Sequence, residues 1–204
     1  MIFTHYCVNT EKMPKMPYMG IPLISNLFRN RIRIATQFAS LTDNSVILDV
    51  GCFGGYLLKI IQNYNHSCKC YGIEKNPDHL EIIESCDVRL ADVTDLPFEN
   101  SFFDKVFVLD ILEHVEELDI AIQEIKRVLK TTGEIILSGP TETWFYKFCR
   151  LIYRKMVDHE EHVHTIYEIE QKIQSEGFEL VNQKSLPGFP IPELFRISLF
   201  KKSD

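Results

Sequence analysis

The stretch VILDVGCFGGYLLKII, residues 46–61, combines an apolar run, one acid and a cluster of glycines. Its first five residues are those of a buried strand apart from Asp49, and YLLKII resumes with the spacing of an amphipathic helix. A strand that turns through glycines into a helix brings bare backbone and a helix N-terminus to its carboxyl end. Open α/β sheets bind their ligands at that place. The stretch therefore predicts a strand, a ligand-binding turn and a helix.

The same alternation continues along the chain from Val46. Short β-rich runs and amphipathic segments follow one another: VILDV and YLLKIIQNY, CKCYGIE and PDHLEIIES, DKVFVLD and ELDIAIQEIKRVL, with EIILSGP closing the series. This pattern is typical of an α/β doubly wound sheet with parallel strands and crossover helices. The later runs FELVNQKSL and LFRISLFKK predict a terminal hairpin. Before Val46, one or two helices interrupted at Pro22 are predicted to lie over the domain.

Composition limits the classes of protein to consider. The 204 residues, 45% of them hydrophobic and 25% charged, fit one compact domain. A net charge of −7 argues against a nucleic-acid binder, and no apolar run is long enough to span a bilayer. The six cysteines contain no CxxC pair, so we expect reduced thiols in a cytoplasmic protein. Neither the oligomeric state nor the acceptor of any reaction follows from the sequence.

Acids stand at the ends of three successive predicted strands. Asp49 precedes the glycine turn, Glu74 ends CKCYGIE, and Asp92 follows the third strand. A carboxylate beside the turn would repel a phosphate and attract a cation. Glu74 is placed to accept hydrogen bonds from a ribose, and Asp92 could accept one from an adenine amine. Together the acids predict a nucleoside with a cationic tail, whereas the glycine spacing does not match the dinucleotide fingerprint GxGxxG.

These residues resemble the class I S-adenosylmethionine (SAM)-dependent methyltransferases, in the branch that modifies small molecules. The resemblance covers about residues 45–177. It rests on the order and spacing of five segments: DVGCFGG as the glycine loop, GIEKNP as the ribose turn, ADVTDLPFENSFFDKVF as the adenine turn and fourth strand, DILEHV after it, and IKRVLKTTGEIILSGP as helix and fifth strand. It implies a Rossmann-like, doubly wound, mostly parallel seven-stranded sheet whose last strand is antiparallel, with helices on both faces.

The resemblance also implies how the chain is divided. One methyltransferase domain, 1–204, would comprise a helical cap (1–44), a cofactor-binding core (45–140), lid and substrate helices (141–176) and a terminal β-hairpin (177–204). The implied cofactor is SAM. The residues implied to bind it are Asp49, Gly51, Cys52, Gly55, Glu74, Lys75, Asp92, Val93 and Leu109. Phe53 departs from the family, which usually has glycine there, so its side chain must point away from the methionine moiety or restrict it.

Catalysis by methyl transfer requires an aligned acceptor and, for a hydroxyl, removal of a proton. The resemblance places His114 of DILEHV near the transferred methyl, and imidazole titrates close to neutral pH; a packing or capping role for His114 is the alternative. Asp110, Glu113 and His114 also resemble the metal-binding acid-x-x-Glu-His arrangement of ubiquinone-pathway O-methyltransferases. Those enzymes usually have glutamate in place of Asp110, and we expect no metal here.

Two later segments are candidates for the acceptor side. The run DHEEHVH, residues 158–164, offers His159, His162 and His164, either as a lid that reaches the acceptor or as a solvated loop. The segment TWFYKFCRLIYRKMV, residues 143–157, contains Trp144 and has an apolar stripe flanked by basic residues. It could cover the cleft, or contact a membrane surface or lipid acceptor. Arg29, Arg31 and Arg33 could extend this basic, apolar rim.

The sequence therefore predicts a SAM-dependent methyltransferase that acts on an oxygen of a small or lipid-like acceptor, with nitrogen and carbon as less favoured acceptor atoms. The alternative is a non-catalytic module that binds SAM or a partner. An NAD-dependent oxidoreductase is disfavoured by the glycine spacing and by Asp49.

Overall fold

A computed structural model describes residues 22–80, 83–153, 162–188 and 190–203. Its strands are β1 Val46–Val50, β2 Lys69–Glu74, β3 Cys86–Leu90, β4 Phe103–Leu109, β5 Leu129–Pro140, β6 Phe178–Leu186 and β7 Phe195–Lys202. Its α-helices are α1 Pro22–Ala39, α2 Tyr56–Tyr64, α3 Leu118–Val128, α4 Trp144–Tyr153 and α5 Ile166–Ser175. None of the described helices has the length and apolarity needed to cross a membrane.

The seven strands form one sheet in the order β3, β2, β1, β4, β5, β7, β6. The pairs among the first five are parallel, and β7 runs antiparallel to both β5 and β6. The predicted fold is confirmed, including the antiparallel last strand. The order reverses between β1 and β4, and a crevice at the carboxyl ends of these strands is where such sheets bind ligands.

Both faces of the sheet are covered, because successive strand residues point to opposite sides. Ile47, Phe107 and Ile136 belong to the core shared with α1 and α2. Their immediate neighbours, such as Leu48 and Ile135, belong to the core shared with α3 and α5. The carboxyl edge of the sheet is thereby held between two packed layers, which fixes the positions of the acids at the strand ends.

Capping interactions mark both ends of α5. The Thr165 hydroxyl accepts from the backbone N–H of Glu168, and the Glu168 carboxylate accepts from the backbone N–H of Thr165 at 2.7 Å, which is a capping box at the start of the helix. Gly177 follows this helix with φ +88°. The segment ELDIAIQEIKRVL forms α3 with one buried face, as predicted for an amphipathic helix, and its last residue, Leu129, begins β5.

Two elements differ from the sequence prediction. In the described residues, the segment PDHLEIIES forms a three-residue 3-10 helix, Pro77–His79, in place of an α-helix; residues 81 and 82 lie outside the described part. Asn76 caps it by accepting from the Asp78 N–H at 2.9 Å, and the backbone turns extended at Leu80. Before β1, one helix begins at Pro22, where proline is well tolerated, so Pro22 starts the helix instead of interrupting it. The remainder of the predicted cap, 1–21, lies outside the described residues.

Candidate cofactor and acceptor site

The turn after β1 is built for close backbone approach. Gly51 and Gly55 have φ values of +70° and +65°. Residues that carry a side chain rarely adopt this backbone conformation. A Cβ at Gly51 would lie 2.1 Å from the Cδ1 atom of Ile111, and one at Gly55 would lie 1.8 Å from that of Ile83. The Cys52 N–H donates to the Ile73 carbonyl at 2.9 Å and ties the turn to β2. The positive φ values therefore favour glycine at these two positions, and any other residue would also displace the Ile111 or Ile83 side chain.

Phe53 does not plug the site. Its ring packs against His79 with centroids 4.4 Å apart, and its backbone N–H donates to the Glu74 carboxylate at 3.1 Å. Both rings lie on the wall of an open cleft of about 1510 Å³ that runs along the carboxyl ends of β1, β2 and β4. Phe53, which stands where the family usually has glycine, therefore forms part of the wall and leaves the cleft open.

Asp49 and Glu74 form the acidic floor of this cleft and are 4% and 8% exposed. Glu74 accepts backbone hydrogen bonds from Phe53 on one oxygen and from Asn76, at 2.9 Å, on the other. Among the described residues no group donates a hydrogen bond to the Asp49 carboxylate. Burial raises the pKa of Asp49 well above its usual range, and the nearby charge of Glu74 raises it further. A cationic ligand would offset both effects.

Asp92 is held differently from the other two acids. One carboxylate oxygen accepts from the backbone N–H and hydroxyl of Thr94, at 3.0 and 2.8 Å, and the other lies 2.7 Å from the Lys75 ammonium. Burial alone would raise the pKa of Asp92, but these partners outweigh it and the pKa is lowered. Asp92 is therefore an ionised acceptor at the rim of the cleft.

All but one of the residues that the resemblance implies for cofactor binding line this cleft. Those that line the cleft are Asp49, Gly51, Cys52, Glu74, Lys75, Asp92, Val93 and Leu109. Gly55 is buried behind the turn against Ile83 and supports the loop from there. Cys52 lines the cleft as a buried thiol, and burial, with the charges of Asp49 and Glu74, raises its pKa to about 12.

The far end of the cleft contains a part-buried ion pair that the sequence did not predict. The Arg31 guanidinium on α1 binds the carboxylate of Asp110, which follows β4, and lies 4.0 Å from the centroid of the Phe195 ring. Asp110 has φ +59°, and its N–H donates to the Ser138 carbonyl at 2.8 Å. Arg31 does not extend a basic rim with Arg29 and Arg33, because it is 6% exposed and faces the cleft. The ion pair fastens α1 to the carboxyl ends of β4 and β5.

Histidines occupy the same end of the cleft. His114 and His162 both line it, with ring centroids 4.8 Å apart, and His162 Nδ1 lies 2.6 Å from a carboxylate oxygen of Glu142. Glu113 is 2% exposed, and burial, followed by the charge of Asp110, raises its pKa. The contact between Glu142 and His162 was not predicted from the sequence. Neither the run TET (141–143) nor the run EHVH (161–164) has a pattern that would pair these two residues.

A divalent cation could be ligated at one place among the described residues. A carboxylate oxygen of Glu113 and one ring nitrogen each of His114 and His162 lie within 4.8 Å of one another. This set differs from the metal arrangement that the sequence suggested. Asp110, grouped there with Glu113 and His114, is engaged by Arg31.

The other predicted acceptor-side residues lie away from the cleft or outside the described part. Trp144 begins α4 and is 74% exposed, and Phe148 on the same helix is 54% exposed. His164 does not line the cleft; its backbone N–H donates to the Glu113 carbonyl at 3.3 Å. His159 lies outside the described residues. The lid roles of Trp144, His159 and His164 stay predictions.

Comparisons with known proteins agree with this geometry. Residues 48–137 match the family described as a methyltransferase domain. The chain is 28% identical over 163 residues to a sterol 4-C-methyltransferase of Caenorhabditis elegans, covering 72% of this chain and 48% of that protein. It is 29% identical over 119 residues to a tRNA (carboxymethyluridine(34)-5-O)-methyltransferase of Arabidopsis thaliana, covering 56% and 28%. It thus spans less than half of either relative.

The fold has close counterparts among solved structures. A putative SAM-dependent methyltransferase from Listeria monocytogenes superposes with a TM-score of 0.68 at 14% identity, covering 87% of this chain and all of that one. A doubly wound sheet with a glycine turn, strand-end acids and a terminal antiparallel strand defines the class of protein to which these counterparts belong. Together with the family match over residues 48–137 and the relatives, these features make the chain similar to the class I SAM-dependent methyltransferases.

Proposed function

We propose that this protein transfers the methyl group of SAM to an oxygen of a small or lipid-like acceptor. The observation that carries the proposal is Asp49, a buried carboxylate in the cleft whose ionised form is disfavoured until a cation approaches. SAM carries a sulfonium and an ammonium group, so it offers the cleft the positive charge that its acids require. When bound, it supplies an electrophilic methyl group.

The remaining cleft residues suit the rest of that cofactor. We assign Glu74 to the ribose hydroxyls and Asp92 to the adenine amine, with Val93 and Leu109 as apolar contacts for the base. Lys75 stays at the rim beside Asp92, where it keeps that carboxylate ionised. Gly51 and Cys52 supply bare backbone beside the methionine moiety, as in the turn after a strand of this fold.

The acceptor enters, in this proposal, at the end of the cleft lined by His114 and His162. Oxygen is favoured as the methylated atom because histidines there can take up the proton that a hydroxyl must lose. A lipid-like acceptor is supported by the sterol-modifying relative and by the exposed Trp144 and Phe148 beside Lys147 on α4, a surface suited to a lipid boundary. The net charge of −7 disfavours a nucleic-acid acceptor. The described cysteines are free thiols, which suits the cytoplasm.

Calorimetric titration with SAM and with NAD tests the cofactor. We expect SAM to bind and NAD not to bind, and we expect Glu74→Gln to weaken SAM by roughly 1 to 3 kcal/mol, the cost of a lost hydrogen bond to a charged group. Asp87→Asn, an acid-to-amide change on an exposed residue of β3 paired with Arg89, is the matched control and should bind SAM normally. Equal affinities of wild type and Glu74→Gln would contradict the ribose assignment.

Product formation from methyl-labelled SAM over a panel of sterols, phenols and amines then tests the enzyme. Methylated product from a hydroxyl acceptor is the expected result. SAM binding without product from any acceptor would instead support the non-catalytic binding module.

A further inference from the structure

We propose that Cys70 and Cys86 form a reversible oxidation site, in which a peroxide oxidises the Cys86 sulfur and Cys70 then closes a disulfide within the chain. This inference goes beyond the proposed methyl transfer and does not depend on it. The observation behind it is the register of two strands: β2 and β3 are parallel neighbours, and Cys70 pairs directly with Cys86.

The two side chains lie on the same face of the sheet. Cys70 is 3% exposed and belongs to the core shared with α1 and α2, and the half-buried Cys86 packs against that core. Neighbouring strands of a sheet lie about 4.8 Å apart, and the Cα atoms of a disulfide lie about 4.4 to 6.8 Å apart. A bond between the two sulfurs therefore requires no change in the register of the strands.

Cys86 has the surroundings of a reactive thiol. The Cys70 thiol is the largest influence that stabilises its thiolate. The Ser85 hydroxyl, whose oxygen lies 3.9 Å from the sulfur, and the charge of Lys59 on α2 add to it. These groups outweigh partial burial and lower the pKa of Cys86 to about 7. About half of the Cys86 side chains are then thiolate at neutral pH, which is the form that peroxides oxidise.

Cys70 has the properties that the second step requires. Because it is buried, a peroxide in solvent meets Cys86 first. The Gln62 amide donates to the Cys70 sulfur at 3.2 Å and holds this side chain under α2. The neighbouring Cys86 and burial raise the pKa of Cys70, so it remains a thiol while Cys86 is ionised. A low-pKa, accessible cysteine beside a second cysteine is the usual arrangement of a redox-active thiol and its resolving partner.

The other two cysteines in the described part of the chain have different surroundings. Cys52 is 4% exposed, and burial raises its pKa to about 12. Cys68 is also 4% exposed, burial raises its pKa, and its thiol donates to the Thr42 carbonyl at 3.6 Å. Both keep their protons at neutral pH, so they serve as internal references for the reactivity of Cys86.

Several charged groups around Cys86 bear on its ionisation. Lys59 faces it from α2 and favours the thiolate. Asp49, at the end of β1, senses the same charge: burial is the main cause of its raised pKa, and Cys86 is among the further causes. On β3 itself, Asp87 and Arg89 pair with each other at 2.6 Å and point to the opposite face.

The proposed chemistry balances in two steps. The Cys86 thiolate attacks one oxygen of hydrogen peroxide, the O–O bond breaks, and the products are a sulfenic acid and hydroxide. The Cys70 sulfur then attacks the Cys86 sulfur, the S–O bond breaks, and the oxygen leaves as water with the proton of the Cys70 thiol. Two electrons pass from the two thiols to the peroxide, and a dithiol reductant returns them by thiol–disulfide exchange.

Peptide mapping of the full-length protein tests the pair. Trypsin separates Cys70, in peptide 70–75, from Cys86, in peptide 76–89. After treatment with equimolar hydrogen peroxide and alkylation of the remaining thiols, we expect a disulfide between these two peptides that dithiothreitol removes. An equal mixture of nitrogen-15-labelled and unlabelled protein should give no linked pairs of mixed label. Absence of this link, or linked pairs of random label, would overturn the inference.

Two matched variants and one rate separate the roles of the two cysteines. In Cys70→Ser we expect no link and a sulfenic acid at Cys86 that dimedone traps, because no second thiol is present to displace its oxygen. Cys68→Ser, the same change two residues earlier, should leave the link intact. In the reduced wild type at pH 7, iodoacetamide should alkylate Cys86 roughly 10-fold or more faster than Cys52 or Cys68.

Equal alkylation rates at the three cysteines would overturn the inference, as would a link that persists in Cys70→Ser. None of these measurements uses SAM or an acceptor. Failure of the proposed methyl transfer would therefore leave the oxidation site standing, and the two failures are distinguishable.

Discussion

At the scale of single residues, the cleft is held in a state that costs stability. Asp49 is buried beside Glu74, and both effects disfavour its charge. Such strain is common where a site awaits a ligand of opposite charge, because residues that serve binding are not optimised for folding. Affinity for a cation and stability of the ligand-free protein should therefore change in opposite directions at this position.

The substitution Asp49→Asn tests whether cation affinity and the stability of the ligand-free protein change in opposite directions. The pKa of Asp49 in the folded protein lies above its unfolded value of about 3.8. As pH rises, the unfolded chain therefore loses this proton before the folded protein does. The stability of the folded protein falls between these two pKa values. Asparagine removes this loss, and we expect the ligand-free Tm at neutral pH to rise by about 2 to 4 °C, the shift that about 1 kcal/mol produces at this chain length. SAM affinity should fall at the same time. A lower Tm at neutral pH, measured by calorimetry, would contradict the assignment.

At the scale of elements, α5 matters because its first turn follows directly on the segment of His162 and His164. The capping box of Thr165 and Glu168 satisfies N–H groups that the helix itself leaves without partners. It thereby fixes where the helix begins and the direction from which the chain enters it. A local capping interaction thus supports one wall of the acceptor end of the cleft.

Thr165→Ala should lower stability by about 1 kcal/mol, the usual cost of losing a hydroxyl cap. The Thr165 N–H and hydroxyl hold the pKa of Glu168 below its ordinary 4.5, so the carboxylate's contribution is present above that pH and is lost as pH falls through the native value. The difference from wild type in urea unfolding should therefore shrink in acid. Ser175→Ala, at the other end of α5, where the hydroxyl donates to the Lys172 carbonyl, is the control. Equal destabilisation by both changes would argue against the cap.

At the scale of the whole molecule, the cleft joins parts that are distant in the chain. Its lining comes from α1, the ends of β1, β2, β4 and β5, and the segment before α5. The Arg31 and Asp110 ion pair alone connects positions 79 residues apart. A ligand that touches these parts together should stabilise the domain as one unit.

SAM at 100 times its Kd should stabilise the folded state by about 2.7 kcal/mol, since it binds the native chain and not the unfolded one. At about 2 to 4 °C per kcal/mol, Tm should rise by roughly 5 to 10 °C. Differential scanning fluorimetry over a SAM series, with NAD at equal concentrations as the control, measures this shift. An unchanged Tm at saturating SAM would contradict the assignment of the cleft.

The fold and the grouping of three strand-end acids in one cleft could be predicted from the sequence because both follow from local patterns. The ends of consecutive parallel strands meet at one edge, so strand order alone groups Asp49, Glu74 and Asp92. The pairs of Arg31 with Asp110 and of His162 with Glu142 could not be predicted. Each joins elements whose relative placement is set by packing over many residues, and no spacing in the chain encodes it. The short 3-10 helix Pro77–His79 was not predicted for a similar reason, because tertiary contacts override the local helix propensity of this segment.

In the proposed function, the nucleophilic side chains on the cleft wall must not react with the electrophilic methyl group of the donor. Cys52 lies on its wall, and a thiolate there would be alkylated by the same methyl donor that the acceptor is meant to consume. With its pKa raised to about 12, the sulfur keeps its proton near neutrality and is a poor nucleophile. Burial of the thiol, together with the acids that would attract the donor, thus also protects the chain from self-methylation in the proposed function.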